Sequence, residues 1–250
     1  MTPDVVDLRN FYASPLGQAA CRSLTRAISA RWSKLTGLHV MGLGYGVPYL
    51  DAFLGKAERV IAAMPEKQGV IHWPPHSPSA TVLVVNTLLP FADQSLDRVL
   101  LVHSIETEES PADLLDEVWR VLSPGGSVLV VVPNRRGLWA RMDTTPFGQG
   151  QPYSRSQMTT LLRHAMFSPI HWSEELFMPP IPSAMMLRAA PALERIGAAL
   201  SLPFAGVHVI EATKLLYRPV AVRKVARQRV LSPFLVPAGA PAGFRRRPLA

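Results

Sequence analysis

Only a few residues of this 250-residue chain combine a reactive type with a suggestive spacing. His103, Ser104 and Glu106 stand together after an apolar run. His103 is the best candidate for a general base, because an imidazole titrates near neutrality; the competing reading is a satisfied structural histidine. A second group lies between Pro133 and Ser156, where Arg135, Arg136, Trp139, Arg141, Phe147 and Tyr153 offer cations and rings. They could cover an anionic or aromatic substrate, or equally tie down a loop. His72 and His76 flank Trp73-Pro74-Pro75 with no carboxylate or cysteine beside them, so no metal site is expected. The lone cysteine, Cys21, has no base nearby and reads as a small buried helix residue. The glycine-rich stretch H-V-M-G-L-G-Y-G, residues 39–46, looks built for a nucleotide.

The elements that must position these groups alternate. Leu16, Ala20, Leu24, Ala27, Ile28 and Arg31 fall at helical spacing within residues 16–34. Strand-like runs follow at Leu38–Leu43, Arg59–Met64, Ala80–Val85, Arg98–Val102 and Ser127–Val132, several of them apolar on both faces, as in a covered parallel sheet. The clearest helix is 111–122: Ser110 is its candidate N-cap, Pro111 suits the first turn, and Leu114, Leu115, Val118, Val121 and Leu122 form one stripe. Pro124-Gly125-Gly126 stops it. The pattern predicts a doubly wound α/β sheet. Prolines 65, 74, 75 and 78 leave little room for a regular crossover helix between the second and third strands, so a loop or a shortened helix is expected there. From 157 the chain reads as helix (Gln157–Phe167), strand (Pro169–Phe177), an apolar insertion at 179–203 with one or two short helices, and a strand (Gly206–Leu216).

Composition bounds the setting. Hydrophobic residues make up 48%, yet no uninterrupted apolar run approaches the roughly 20 residues of a membrane span, so a soluble protein without a transmembrane segment is expected. Asp4 and Asp7 stand where an export signal would be basic and then apolar, and a single cysteine cannot form an internal disulfide; both suit the cytoplasm. The net charge of +8 is a property of the C-terminus: nine of the 26 basic residues follow Glu211, leaving 17 against 18 acidic ones in residues 1–213. One domain over 1–219 and a basic, Pro- and Gly-containing tail over 220–250 follow, the tail a candidate for RNA or anionic-membrane contact.

Three segments in order, H-V-M-G-L-G-Y-G (39–46), L-P-F-A-D-Q-S-L-D-R-V-L (89–100) and L-L-D-E-V-W-R-V-L-S-P-G-G-S-V-L-V-V-V-P-N (114–134), resemble the class I S-adenosylmethionine-dependent methyltransferases, in particular the type 11 group. The resemblance implies a Rossmann-like, seven-stranded sheet with its last strand antiparallel, here with the apolar insertion before that strand, and S-adenosylmethionine as cofactor. It implies that Gly44 and Gly46 let the backbone approach the cofactor, that Leu88 packs near the adenine, and that the segment from His103 lines the substrate site. At the three positions where the family carries an acidic residue, this sequence has Gly42, Met64 and Val85-Asn86. Glu66 and Tyr45 are candidate replacements, and Asn86 could still serve an adenine edge. Losing two or three charged hydrogen bonds of about 1.5–3 kcal/mol each would weaken binding from micromolar towards millimolar. Asp97 reads as a turn or cap residue. The expected function is in-line methyl transfer to a small molecule, with Arg135, Arg136, Trp139, Arg141 and Tyr153 as candidate substrate contacts. The alternative is a pseudoenzyme that binds a protein or RNA partner through 179–203 and the basic tail.

Overall fold

The computed structural model describes residues 2–200 and 204–217; the end of the insertion and the basic tail at 220–250 lie outside the described residues. Seven strands form one sheet: β1 (His39–Gly44), β2 (Arg59–Pro65), β3 (Thr81–Val84), β4 (Leu96–Val102), β5 (Leu122–Pro133), β6 (Phe167–Glu175) and β7 (Val207–Lys214). Their order is β3-β2-β1-β4-β5-β7-β6. Strands β1 to β5 pair in parallel, and β7 runs antiparallel between β5 and β6. The expected sheet is therefore the observed one.

Alternating strand residues feed two cores. Leu100, Val102, Leu129 and Val131 point to a face covered by α1 (Val5–Ala13), α2 (Pro15–Arg31), α3 (Val47–Leu50) and α6 (Ala184–Leu200). Val99, Leu101, Val128 and Val130 point to the other, covered by α4 (Pro111–Val121) and α5 (Arg155–His164). The stripe predicted on α4 is fully buried. Ser110 makes no side-chain cap there, whereas Ser154 and Gln157 form a reciprocal capping box on α5.

The segments that carry the family resemblance hold one another. Arg120 of α4 donates to the carbonyls of Leu89 and Phe91, both at 2.9 Å, and to Asp93, while Glu117 accepts from the Leu89 amide at 3.0 Å. Asp97 ties the start of β1 to the start of β5: one oxygen accepts from the His39 amide at 2.8 Å, the other from the Ser123 hydroxyl at 2.9 Å. Residues 66–80 form no helix, as the prolines dictate, and neither do residues 85–95. Both connections to β3 are loops, and this four-residue edge strand leaves Leu83 exposed.

Two helices differ from expectation. Residues 5–13 form α1, which the sequence reading did not include; Asp4 caps it by accepting from the Val6 amide. The insertion holds one 17-residue helix running through Pro191, not two short ones. Tertiary anchors offset the bond that proline removes: Glu194 accepts from the Leu176 and Met178 amides, each at 3.0 Å, and Gly197 lies directly against the Phe177 ring. Met185, Ile196 and Leu200 remain exposed on α6. Among the described residues no helix is long and apolar enough to cross a membrane.

Beside this anchor, burial and then the charge of Glu194 push the Glu175 carboxyl up to about 7. The folded protein holds this proton more tightly than the unfolded chain, so stability falls as pH rises from the ordinary carboxylate range through 7. Glu175→Gln removes that dependence. In thermal melts it should be more stable than the parent at pH 8, by on the order of 1 kcal/mol after allowance for solvent screening, with the difference gone at pH 5.

Candidate active site

The glycine turn ends β1 between the ends of β2 and β4. Gly44 has φ +94°, and a Cβ there would collide with the Val102 carbonyl, so β4 itself demands this glycine. Gly42 faces Leu50 of α3, whose Cδ1 would lie 2.8 Å from an added Cβ; the space that an acidic side chain would need is filled by leucine. An added Cβ at Gly46 would meet only ordinary contacts.

Above the turn lies a buried aromatic and polar cluster. Tyr45 stacks on Tyr12 of α1, with centroids 5.6 Å apart and planes 21° off parallel. The Tyr12 hydroxyl bonds to the Tyr49 hydroxyl at 2.7 Å and to His103 Nε2 at 2.8 Å. Burial pushes both phenols well above the ordinary range. His103 sits at the end of β4 with φ +52°, a costly conformation for a residue with a Cβ. Its carbonyl accepts from the Gln68 amide, so a side chain from beyond β2 reaches across the end of β1 to β4. Gln68 is in turn bonded to α1, its carbonyl accepting from the Val5 amide at 2.8 Å.

His103 Nδ1 lies 3.3 Å from Glu106 Oε1, without the alignment of a hydrogen bond. Phe147 packs against the imidazole at 4.8 Å. Tyr153 stands beside Glu106; burial first, then that carboxylate, push its phenol up to about 12. Eleven buried side-chain N or O atoms lack a partner among the described residues, and six of them belong to this edge: Gln68 Oε1, Asn86 Oδ1, His103 Nδ1, Ser104 Oγ and both oxygens of Glu106. Buried polar groups are nearly always paired, with protein or with ordered water, so the concentration singles out this edge.

The structure brings only some of the candidates together. Gly42, Gly44, Tyr45, Gly46, Asn86, His103 and Tyr153 lie at this edge, with Asn86 donating to Glu108 at 2.7 Å. Met64 is buried, its sulfur 3.5 Å from the Ile71 amide. Glu66 is exposed, and Leu88, expected near an adenine, is 72% exposed because no helix follows β3 to fold it inward. Arg135, Arg136 and Arg141 are exposed. Trp139 is a core residue: fully buried, it donates to the Met178 carbonyl at 2.8 Å and meets Phe147 edge-on. The sequence reading missed Gln68, Tyr12 and Tyr49. The signal for Tyr12 was present in Val5, Leu8 and Tyr12 at helical spacing behind a capping Asp4; nothing in the sequence singled out Gln68.

Geometry at the carboxyl edge of a doubly wound sheet defines a ligand-binding α/β domain. Residues 41–130 match the family model described as "Methyltransferase domain". Over 129 residues, half of this chain, the sequence is 33% identical to a probable S-adenosylmethionine-dependent methyltransferase of Mycolicibacterium smegmatis, and it spans about half (49%) of that relative's length. Among solved structures, one from Thermotoga maritima, described as a SAM-dependent methyltransferase and possible histamine N-methyltransferase, matches with TM-score 0.57 and 18% identity over 84% of this chain and 96% of that one. The [4+2]-cyclase SpnF matches with TM-score 0.56 and 23% identity over 79% and 81%. A Burkholderia thailandensis N1-methyltransferase with bound 1,6-didemethyltoxoflavin and S-adenosylhomocysteine matches with TM-score 0.52 and 17% identity over 78% of each chain. The chain carries the class I S-adenosylmethionine-dependent methyltransferase fold, and its residues 41–130 match the methyltransferase domain.

Gly42→Asp, which would restore the family's acidic residue, must displace Leu50 and bury an unpaired carboxylate. The variant should lose about 2–4 kcal/mol of stability, read as a drop of several degrees in melting temperature, instead of gaining cofactor affinity in calorimetry.

Proposed function

We propose that the protein is a cytoplasmic S-adenosylmethionine-dependent methyltransferase acting on a small molecule. The observation that carries this reading is the group of unpartnered buried polar atoms at the ends of β2, β3 and β4. A fold kept only as a partner-binding scaffold has no need of them, since each costs about 1–3 kcal/mol unless a ligand pairs it. The free thiol of Cys21 suits a reducing compartment.

These residues fit the cofactor with neutral acceptors in place of carboxylates. The side-chain carbonyls of Gln68, beyond β2, and Asn86, beyond β3, are both bare and can take hydroxyl or amino donors. Neutral hydrogen bonds contribute about 0.5–1.5 kcal/mol against 1.5–3 for charged ones, so the cofactor is held more loosely than a carboxylate set would hold it. When bound, the cofactor supplies an electrophilic methyl group on a sulfonium. The chain's own part is to position the acceptor and take its proton. The Tyr12 hydroxyl lies 2.8 Å from His103 Nε2, so in the tautomer with its proton on Nδ1 this nitrogen presents its lone pair to that hydroxyl. An acceptor that displaces Tyr12 meets the same nitrogen. Entry requires α1 and residues 66–69 to move together, because Val5 is bonded to Gln68 and packs against Gly69.

Calorimetry should show S-adenosylmethionine and S-adenosylhomocysteine binding in the range of tens to hundreds of micromolar. Absence of binding by both at millimolar concentration would overturn the reading. His103→Asn, whose side chain tolerates the positive φ, should lower kcat on the true acceptor about 100-fold while leaving S-adenosylhomocysteine affinity within about twofold.

A further inference from the structure

Glu106 is the least satisfied group in the cluster. It is only 3% exposed, neither oxygen has a donor, and its nearest ionisable neighbour, His103 Nδ1, is 3.3 Å away and out of line. A buried carboxylate is costly unless a positive charge and hydrogen bonds compensate it. The bare atoms around it have the same bias. Four are acceptors (Gln68 Oε1, Asn86 Oδ1 and the two Glu106 oxygens), against one ring nitrogen and one hydroxyl. The complement of such a site is rich in N–H groups and positively charged.

The surroundings suit an organic cation. Aromatic side chains lie close by: the Glu106 carboxylate acts on the Tyr153 phenol, and Phe147 packs against the adjoining imidazole. Residues 150–151 close over it: the Gln151 amide donates to the Glu106 carbonyl at 2.7 Å, and Gly150 has no room for a Cβ against that carbonyl. A cavity of about 660 Å³ opens on the far side of the same segment, bounded by Asp7, Asn10, Phe11, Met142, Thr145 and Gln149 among others. Phe11 in its wall meets Phe147 edge-on at 6.2 Å, so two rings separate the cavity from His103. Among the described residues that line it, Asp7 is the one ionisable group. Asp7 gives the cavity wall the same sign of charge as Glu106.

We propose that Glu106 seats the ammonium group of an amine-bearing methyl acceptor. The inference rests on the methyltransferase reading for the word acceptor, but the ammonium site itself does not need the cofactor. The same chemistry could come from the amino group of the cofactor's amino-acid part, and the test separates the two sources.

Full-length protein is titrated calorimetrically, without cofactor, with 2-phenylethylammonium and with neutral 2-phenylethanol. The amine should bind at least about tenfold more tightly, and Glu106→Gln should remove that preference. S-adenosylhomocysteine and 5′-methylthioadenosine, which lacks the amino-acid part, are titrated in parallel; their affinity ratio should be unchanged by Glu106→Gln. Glu106→Asp, which keeps the charge, should recover part of the amine preference and so separates loss of charge from damage to the fold. Equal binding of amine and alcohol, or no binding of either, overturns the proposal. A ratio of the two adenosine ligands that collapses in Glu106→Gln also overturns it, by giving the ammonium to the cofactor. Amine selectivity with no adenosine ligand bound would leave the Glu106 site standing while removing the methyltransferase reading.

Discussion

The contact on which the carboxyl edge depends is the one made by His103 with two partners that come from elsewhere in the chain. Its ring holds Tyr12 of α1, and its carbonyl holds Gln68 from beyond β2. Because β1 lies between β2 and β4, the Gln68 bond crosses the glycine turn, and the Tyr12 bond lays a stacked ring over Tyr45. A left-handed backbone at His103 turns the ring and carbonyl to these partners, and its strain persists because both bonds and the Phe147 contact hold it. Through these two bonds the helix and the loop both meet the end of β4.

Much of the sheet was legible in the sequence because its physics is local. Apolar runs of strand length and the α4 stripe each state their conformation within a dozen residues, whereas Pro124-Gly125-Gly126, read as a turn, lies within β5. The prolines at 74, 75 and 78 correctly forbade a crossover helix. The continuous α6 was harder, since Pro191 argues for a break and the anchors that override it, Glu194 on the Leu176 and Met178 amides, are tertiary. Helix α1 was passed over although its cap and stripe were readable, because nine residues alone do not make a stable helix in water; packing against α2 and the 66–69 turn does.

The site was legible in its frame and much less so in its occupants. The family resemblance located the turn, the end of β4 and the three positions where acidic residues are missing. It did not show what stands in their place: Leu50 filling the room beside Gly42, Gln68 reaching inward where Glu66 had been considered, Trp139 committed to the core. Each of these depends on which way a side chain points after a loop, and no periodicity records that. The three arginines considered for substrate contact illustrate the same limit, for they share a segment with Phe147 and Tyr153 yet remain exposed while those rings turn in.

Charge then separates two roles that the sequence had merged. The family's carboxylates serve a cofactor; here the stations beyond β2 and β3 carry amide carbonyls, and the one buried acid with free oxygens follows β4. Placing the negative charge after β4 rather than after β2 and β3 lowers attraction for hydroxyls there and raises it for a cation. Asp7 at the cavity wall extends the same sign outward, and the exposed arginines at 135, 136 and 141 do not line that wall. A neutral cofactor cradle beside an anionic, aromatic pocket can discriminate strongly among acceptors while holding the methyl donor only loosely, because the unpaired carboxylate penalises every occupant that lacks a positive charge.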